Sequence, residues 1–518
     1  MHSALLIDEI LQVILEHCVD WPVTQYRRTL CQLALCCKAW KDPALDRLWK
    51  RLDNAEPIRY LVKAEVSLTL FHCRMLSFNF MNHQSLQNFE TYASRVKHIT
   101  LNYVPHLPIA SGAYAPFPNL KSAVLKDHGC SVASNYLFSS SLEELEIDLR
   151  RTRSGGYVSS VYTSDRLSAA VQAIPSLQSS LRTLRVKGLI STAFNDIIPS
   201  FHSLRSLVLL TGGTLSANTL AALGSLESLQ DVYVHASHID SGDFSEAVSQ
   251  QVSQPFPSLR SLRIRAQRSL FRAILDVLPH GTLTSLYLET EESAQGPSAW
   301  HPTFTLIAAK TANTLTDLTL DQILDPEEIT IELSTGDDAR FALNTLHPLS
   351  KLRALRRLTI DAMLLPDFTD RDIDTMAGWW PRLEHLNLGA LPDVQEHAGT
   401  WVPKVTIEAL RALAKRCPSL RTLTIPFDVS SCKVAPAGPG DKAVRQRTLE
   451  RLFVGPPPAE EDISAFVRSV VELFPCVREI ECASAEQLLS LEVQTVFKNH
   501  AVEAENRRGT SDGFADGQ

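Results

Sequence analysis

No apolar run in the 518 residues reaches the roughly 18 positions that a membrane-crossing helix needs. The start, Met1 to Glu9, has no Lys or Arg ahead of its apolar stretch and meets acids early, so a secretory signal is not expected. The ten cysteines include no C-x-x-C pair and no regular framework, which excludes a zinc ribbon or a disulfide scaffold. Cys36 and Cys37 lie in an apolar helical context, and the thiols are expected to be reduced core residues of a cytoplasmic or nuclear protein. Phosphate-cradling glycine loops, H-E-x-x-H and G-x-S-x-G are all missing, so no catalytic residue, metal or cofactor is expected and the chain does not read as an enzyme. Clustered positive charge is also scarce: a net charge of -8 and a pI near 6.1 argue against a nucleic-acid coat, leaving room only for a local basic strip.

Charged residues at 21% and hydrophobic ones at 44% are those of a soluble folded chain. At this length one simple core is excluded, and several domains or a repeat array is expected. The first fifty residues read as helical. Leu6, Ile7, Ile10, Leu11, Ile14 and Leu15 fall at helical spacing over residues 4 to 18, with Asp8, Glu9, Gln12 and Glu16 off the stripe. A second helix is expected from Thr29 to Trp40. A third is expected to start at Asp42-Pro43, where proline is tolerated, and to run through Leu45, Leu48, Trp49 and Leu52. Three such helices leave apolar surface in need of a partner or a neighbour to cap.

From about residue 95 one pattern recurs: apolar-x-x-apolar-x-apolar. Copies start at Val96, Leu120, Leu142, Leu181, Leu204, Leu229, Leu259, Leu283, Leu315, Leu355, Leu383, Leu420, Leu449 and Val477, many of them twenty-odd residues apart. The copy at Leu120 is degenerate, with Ala123 at its second apolar position. Residues two apart share a strand face, so the apolar members point one way and the intervening polar ones the other. Helical patterns lie between copies, as at Leu167–Ile174, Phe271–Leu278 and Thr406–Lys415. Prolines 175, 199, 279 and 418 are expected to end helices and launch strands. Polar or Pro/Gly-rich insertions interrupt the array at Arg150–Ser164, Glu289–Pro302, Asp325–Asp338, Pro392–Pro403 and Ser430–Arg445.

These patterns resemble known families. Leu6-Ile7-Asp8-Glu9-Ile10-Leu11, the spaced Leu30, Leu33, Ala34, Cys37, Lys38 and Trp40, and then Pro43-Ala44-Leu45 and Leu48-Trp49 resemble the F-box, in the version common in fungal proteins. Ile7 stands where many F-boxes carry proline. The recurring strand pattern is similar to leucine-rich repeats over roughly residues 95 to 482, mostly without the asparagine ladder of regular members. The expected fold class is α/β: a three-helix head at 1–52, a linker or cap at 53–94, and an irregular repeat solenoid at 95–482 with its parallel sheet inside and helices outside. A capping helix at 483–505 and a disordered tail at 506–518 complete it.

The resemblance implies a substrate-recognition subunit of a Skp–cullin–F-box ubiquitin ligase. It would bind a Skp-type adapter, and through it a cullin, by way of Leu6, Ile7, Ile10, Leu11, Ile14, Leu30, Leu33, Cys37 and Trp40. An unknown target protein would be held by outward strand positions: Arg185, Lys187, Tyr233, His235, Arg263, Arg265 and Tyr287. Neither nucleic acid nor membrane is an expected partner. The alternative is a leucine-rich-repeat interaction scaffold without ligase coupling, its head serving as a cap. Other residues have plainer uses. His235 and His238 sit at a strand end rather than in a metal site, and Trp379-Trp380 is expected to pack the helix layer.

Overall fold

A computed structural model describes residues 7–18, 21–54, 56–61, 83–101, 117–126, 138–149, 172, 175–292, 297–323, 340–361, 365–389, 402–429, 432, 445–455, 463–482 and 495–498. The chain forms two compact units, residues 1–235 with 250–252 and residues 236–249 with 253–518.

The first unit opens with helices α1 (Asp8–His17), α2 (Val23–Cys36) and α3 (Lys38–Lys50). Leu15, Leu30 and Ala44 form their shared core, flanked by Tyr26, Leu33, Ala34 and Leu48. Arg47 ties α3 to α1 through Gln12 Oε1 at 3.1 Å and Glu16 Oε1 at 2.7 Å. The boundary between the second and third helices differs from the expectation. Cys37 turns extended (φ -162°, ψ 167°) and starts α3 at Lys38, so Pro43 lies inside the helix rather than at its start. Leu52 is not helical either. It belongs to a two-residue strand, β1 (Arg51–Leu52), that pairs in parallel with β2 (His98–Leu101). The repeat sheet therefore begins at the last residues of the head. Helices α4 (Glu56–Leu61) and α5 (His83–Ala93) fall in the stretch expected to be a linker or cap.

From β2 the first unit continues with β3 (Ser122–Lys126), β4 (Glu144–Asp148), β5 (Thr183–Lys187), β6 (Ser206–Leu210) and β7 (Asp231–His235), each parallel to the one before. The second unit repeats the scheme. Its strands are β8 (Ser261–Arg265), β9 (Ser285–Thr290), β10 (Asp317–Gln322), β11 (Arg357–Asp361), β12 (His385–Asn387), β13 (Thr422–Ile425), β14 (Arg451–Val454) and β15 (Glu479–Cys482). Each of β2 to β15 follows one sequence copy, whose first Leu or Val is buried in every case. Within the strands burial alternates residue by residue, as in Glu144–Asp148 and Ser261–Arg265. Even the degenerate copy keeps register, with Ala123 fully buried opposite Ile99. Each unit is thus an α/β stack of leucine-rich repeats with a parallel sheet.

Where an asparagine ladder is missing, hydroxyls hold neighbouring repeats together. Ser141 donates to the carbonyls of Pro118 and Leu120 at 2.7 and 3.0 Å, and Thr448 repeats the arrangement on Pro418 and Leu420 at 2.7 and 2.9 Å. Thr316 Oγ1 donates to the Thr284 carbonyl at 3.0 Å. At these turns the hydroxyls add acceptor bonds to carbonyls that precede a strand.

The expected helices appear at Arg268–Val277 and Ile407–Arg416, and Pro279 and Pro418 follow them closely. Pro175 instead opens a helix, Pro175–Ser180, where its missing N–H has no bond to lose. Most of Leu167–Ile174 lies outside the described residues. Glu289 and Thr290 close strand β9 instead of starting an insertion, because their backbone continues the ladder with β10. The insertions at 150–164 and 325–338, nearly all of those at 392–403 and 430–445, the capping helix apart from 495–498, and the tail lie outside the described residues. No helix among the described residues is long and apolar enough to cross a membrane.

Candidate protein-interaction surfaces

Helix α1 is amphipathic, with Leu11 and Leu15 turned into the head's core. Ile7 at its N-cap and Ile10 and Val13 within it follow at three-residue steps and are 47%, 38% and 53% exposed. Leu35, near the end of α2, is 88% exposed, and Trp21 before α2 and Val23 at its start are also open. This is an unusual share of large apolar groups on fifty residues.

The nine adapter-contact candidates divide accordingly. Ile7 and Ile10 are exposed; Ile14, Leu33 and Cys37 are half-buried; Leu6 lies outside the described residues. Leu11, Leu30 and Trp40 are buried, so they are core residues and not a contact surface. A stripe of helical spacing does not say which of two adjacent apolar faces turns inward. Val13 and Leu35 were missed for that reason. The cysteine expectation also needs correction: Cys31 and Cys36 on α2, and Cys476, are exposed. Cys417 and Cys482 are buried, which pushes their thiols up to about 12.

The target-contact candidates all occupy outward strand positions, four in the first unit and three in the second. Arg185 on β5 is exposed and makes no ion pair among the described residues. Lys187 is held by Glu146 of the neighbouring strand at 2.8 Å. On β7, the Tyr233 hydroxyl and His235 Nε2 lie 3.3 Å apart, and the two rings meet edge to face.

The second unit's candidates are engaged with one another. Arg265 pairs with Glu289 directly across on β9, and with Glu291 at 3.1 Å. Arg263 lies 4.0 Å over the Tyr287 ring and 3.5 Å from Glu289. Between the two guanidinium groups Glu289 is left 1% exposed. The Tyr287 hydroxyl in turn donates to Asp321 Oδ2 at 2.5 Å, and burial together with that carboxylate pushes the phenol up. Asp361, beside Asp321 in register, was missed, although it ends its copy just as Asp321 does. Burial and then the neighbouring Asp321 push its carboxyl up.

Two further residues fall as expected or nearly so. Trp380 is fully buried and donates its Nε1–H to the Leu349 carbonyl at 3.0 Å, whereas Trp379 is only half-buried, edge-on to His347. Among the described residues no group of His, Cys, Asp and Glu is arranged to hold a metal ion. What these surfaces offer chemically is apolar contact on the head and ionic or aromatic contact on the strands.

No protein-family model matches the sequence, and no curated protein matches it. Among solved structures the chain is similar to one from the crystal structure of the Rad7 and Elc1 complex in yeast, with a TM-score of 0.35 and 13% identity, covering 84% of this chain and 91% of that one. It is also similar to a leucine-rich-repeat protein of Leptospira interrogans, with a TM-score of 0.33 and 14% identity, covering 76% and 97%. Overlaps of this size carry no argument about partners.

Proposed function

We propose that this chain is the target-binding subunit of a Skp–cullin–F-box ubiquitin ligase, joined to a Skp-type adapter by its head and to a target protein by its repeats. The observation that carries the reading is the set of apolar side chains the head leaves out of its own core: Ile7, Ile10, Val13 and Leu35. They lie in the stretch that resembles an F-box. Burying such groups at about 25 cal/mol per Å² is what an adapter groove would gain. The chain itself would catalyse nothing. Ubiquitin transfer would take place on partner subunits, and the contribution here is to raise the local concentration of a bound target.

The test is co-purification of the full chain with a Skp-type adapter, comparing wild type with Ile10→Asp/Leu35→Asp. Both positions are exposed, so the variant should fold and lose at least about tenfold in affinity, the equivalent of about 1.4 kcal/mol. Leu11→Ala serves as the contrast: it should lower the head's stability by about 2–5 kcal/mol and weaken adapter binding only through unfolding. No binding by wild type, or full binding by the surface variant, would refute the proposal.

One observation favours the second reading, a scaffold uncoupled from any ligase. Strand β1 makes the head the first layer of the repeat sheet, so capping alone is sufficient reason to retain it. Deleting residues 1–52 would strip β1 from β2 and cannot separate the two readings, whereas the surface variant can.

A further inference from the structure

In each repeat one residue stands between the opening Leu or Val and the strand, and within each unit its backbone bonds to the same position in the repeat before. The Lys121 N–H donates to the Lys97 carbonyl at 2.8 Å, Glu143 to Lys121 at 2.8 Å, Arg182 to Glu143 at 2.8 Å, and Arg205 to Arg182 at 2.7 Å. These bonds align the side chains in a row at the strand-entry rim, spaced by about the 4.8 Å between strands. In the first unit the row reads Lys97, Lys121, Glu143, Arg182, Arg205, Gln230: four cations, one acid and one neutral amide. In the second unit its later part alternates in sign, Arg356, Glu384, Arg421, Glu450, Arg478, and Arg356 is paired with Glu384 at 3.3 Å.

The single acid of the first row is already engaged. Lys121 Nζ is 3.0 Å from Glu143 and holds its carboxyl below the usual carboxylate range, while Arg182 is 3.9 Å from the same group. Arg205 is exposed and makes no ion pair among the described residues. Arg182 and Arg205 therefore stand side by side with little to neutralise them. Beside them runs a groove of about 330 Å³, lined also by Lys121, Glu143 and six serines. Ser180 Oγ, within that lining, is screened from solvent and has no hydrogen-bond partner among the described residues.

We infer that this rim, centred on Arg182 and Arg205, binds an extended acidic segment of a partner protein. Guanidinium groups one strand apart suit carboxylates, which they grip with paired hydrogen bonds, and the Ser180 hydroxyl supplies a neutral donor beside them. The groove has no aromatic lining on which bases could stack, and the chain's net charge of -8 disfavours a long polyanion. The site lies on the repeats and does not depend on the head's reading.

The probe is a fluorescein-labelled peptide of about twelve residues alternating Glu and Ser, followed by anisotropy on the full chain. Wild type should bind it, with affinity falling as salt rises. Arg182→Glu/Arg205→Glu should bind at least about tenfold more weakly, and Arg421→Glu/Arg478→Glu on the alternating rim should bind like wild type. Arg182 is 55% exposed on its side chain, so thermal melting should be the same for all three proteins. Absence of binding by wild type, equal binding by the Arg182/Arg205 variant, or tighter binding of an oligothymidine of the same length would overturn the inference.

Discussion

Replacing Arg265 by methionine should destabilise the second unit by about 2–3 kcal/mol. Glu289 is 1% exposed and lies between two guanidinium groups, of which Arg265 makes the closer contact. An ion pair at such a distance is worth about 4 kcal/mol of attraction where the effective dielectric is near 20. Removing one partner of a fully buried pair costs about 3–5 kcal/mol. Two features lower that figure here. Arg263 remains 3.5 Å away, and Arg265 is itself 27% exposed on its side chain, so its truncation lets water reach the carboxylate. The double variant Arg265→Met/Glu289→Leu removes both charges and should recover most of the loss, giving a coupling of about 2 kcal/mol. Hydrogen exchange in a urea series, read on peptides covering residues 259–290, follows the second unit by itself. A coupling below about 0.5 kcal/mol would show that the pair is a surface contact and that Glu289 is hydrated after all.

Asp361→Asn should raise the melting temperature near pH 7. The wild-type carboxyl is pushed up by burial and by Asp321, so the native state binds that proton more tightly than the unfolded chain does; stability from this group is full at low pH and is lost as pH rises through the native value. The gap between variant and wild type should therefore narrow as pH falls and close below about pH 4 in a melting series from pH 3 to 8. Arg95→Met should loosen the join between head and repeats, since Arg95 reaches the Asp42 carbonyl at 3.2 Å and its carboxylate at 2.6 Å, with Asp46 alongside. With both acids largely exposed the loss is about 1–2 kcal/mol, read as roughly tenfold faster exchange at the Lys97 amide, which donates to the Lys50 carbonyl.

The repeats were readable because stacking demands the same three apolar residues each time, and period-two alternation assigns the rest of each strand to the opposite face. Strand β1 was not readable. Arg51 and Leu52 continue a helical pattern through Leu45, Leu48 and Trp49, and only pairing with residues 98 and 99 makes them extended. Pro43 misled in a related way: a proline near an expected helix start reads as the start, whereas the extended Cys37 had already opened the helix. The site fared worse for a physical reason. Arg263 and Arg265 are strong anchors when read alone, but the acid that occupies them comes from the next repeat, 24 residues on in the case of Arg265. Outward position was legible in each copy; availability depends on neighbours in register, which no single copy contains.

That distinction decides where a partner has most to gain. On the second unit's strand face the arginines of β8 are satisfied by Glu289 and Glu291, and a ligand there would have to displace bonds already made. On the first unit's rim Arg205 makes no ion pair among the described residues, and Arg182 has only its 3.9 Å contact with Glu143 to lose. The same unit holds the head, and the two are in direct contact: α3 runs without a linker into β1, the Trp49 and Tyr92 rings pack at 4.9 Å, and Arg95 spans back to α3. From β1 to β5 is four strand spacings, about 20 Å along the sheet. A segment bound at Arg182 would thus be held at a fixed offset from whatever binds α1. Holding two ends at a set distance is worth more than holding them on a flexible tether, because orientation is settled before the second partner arrives.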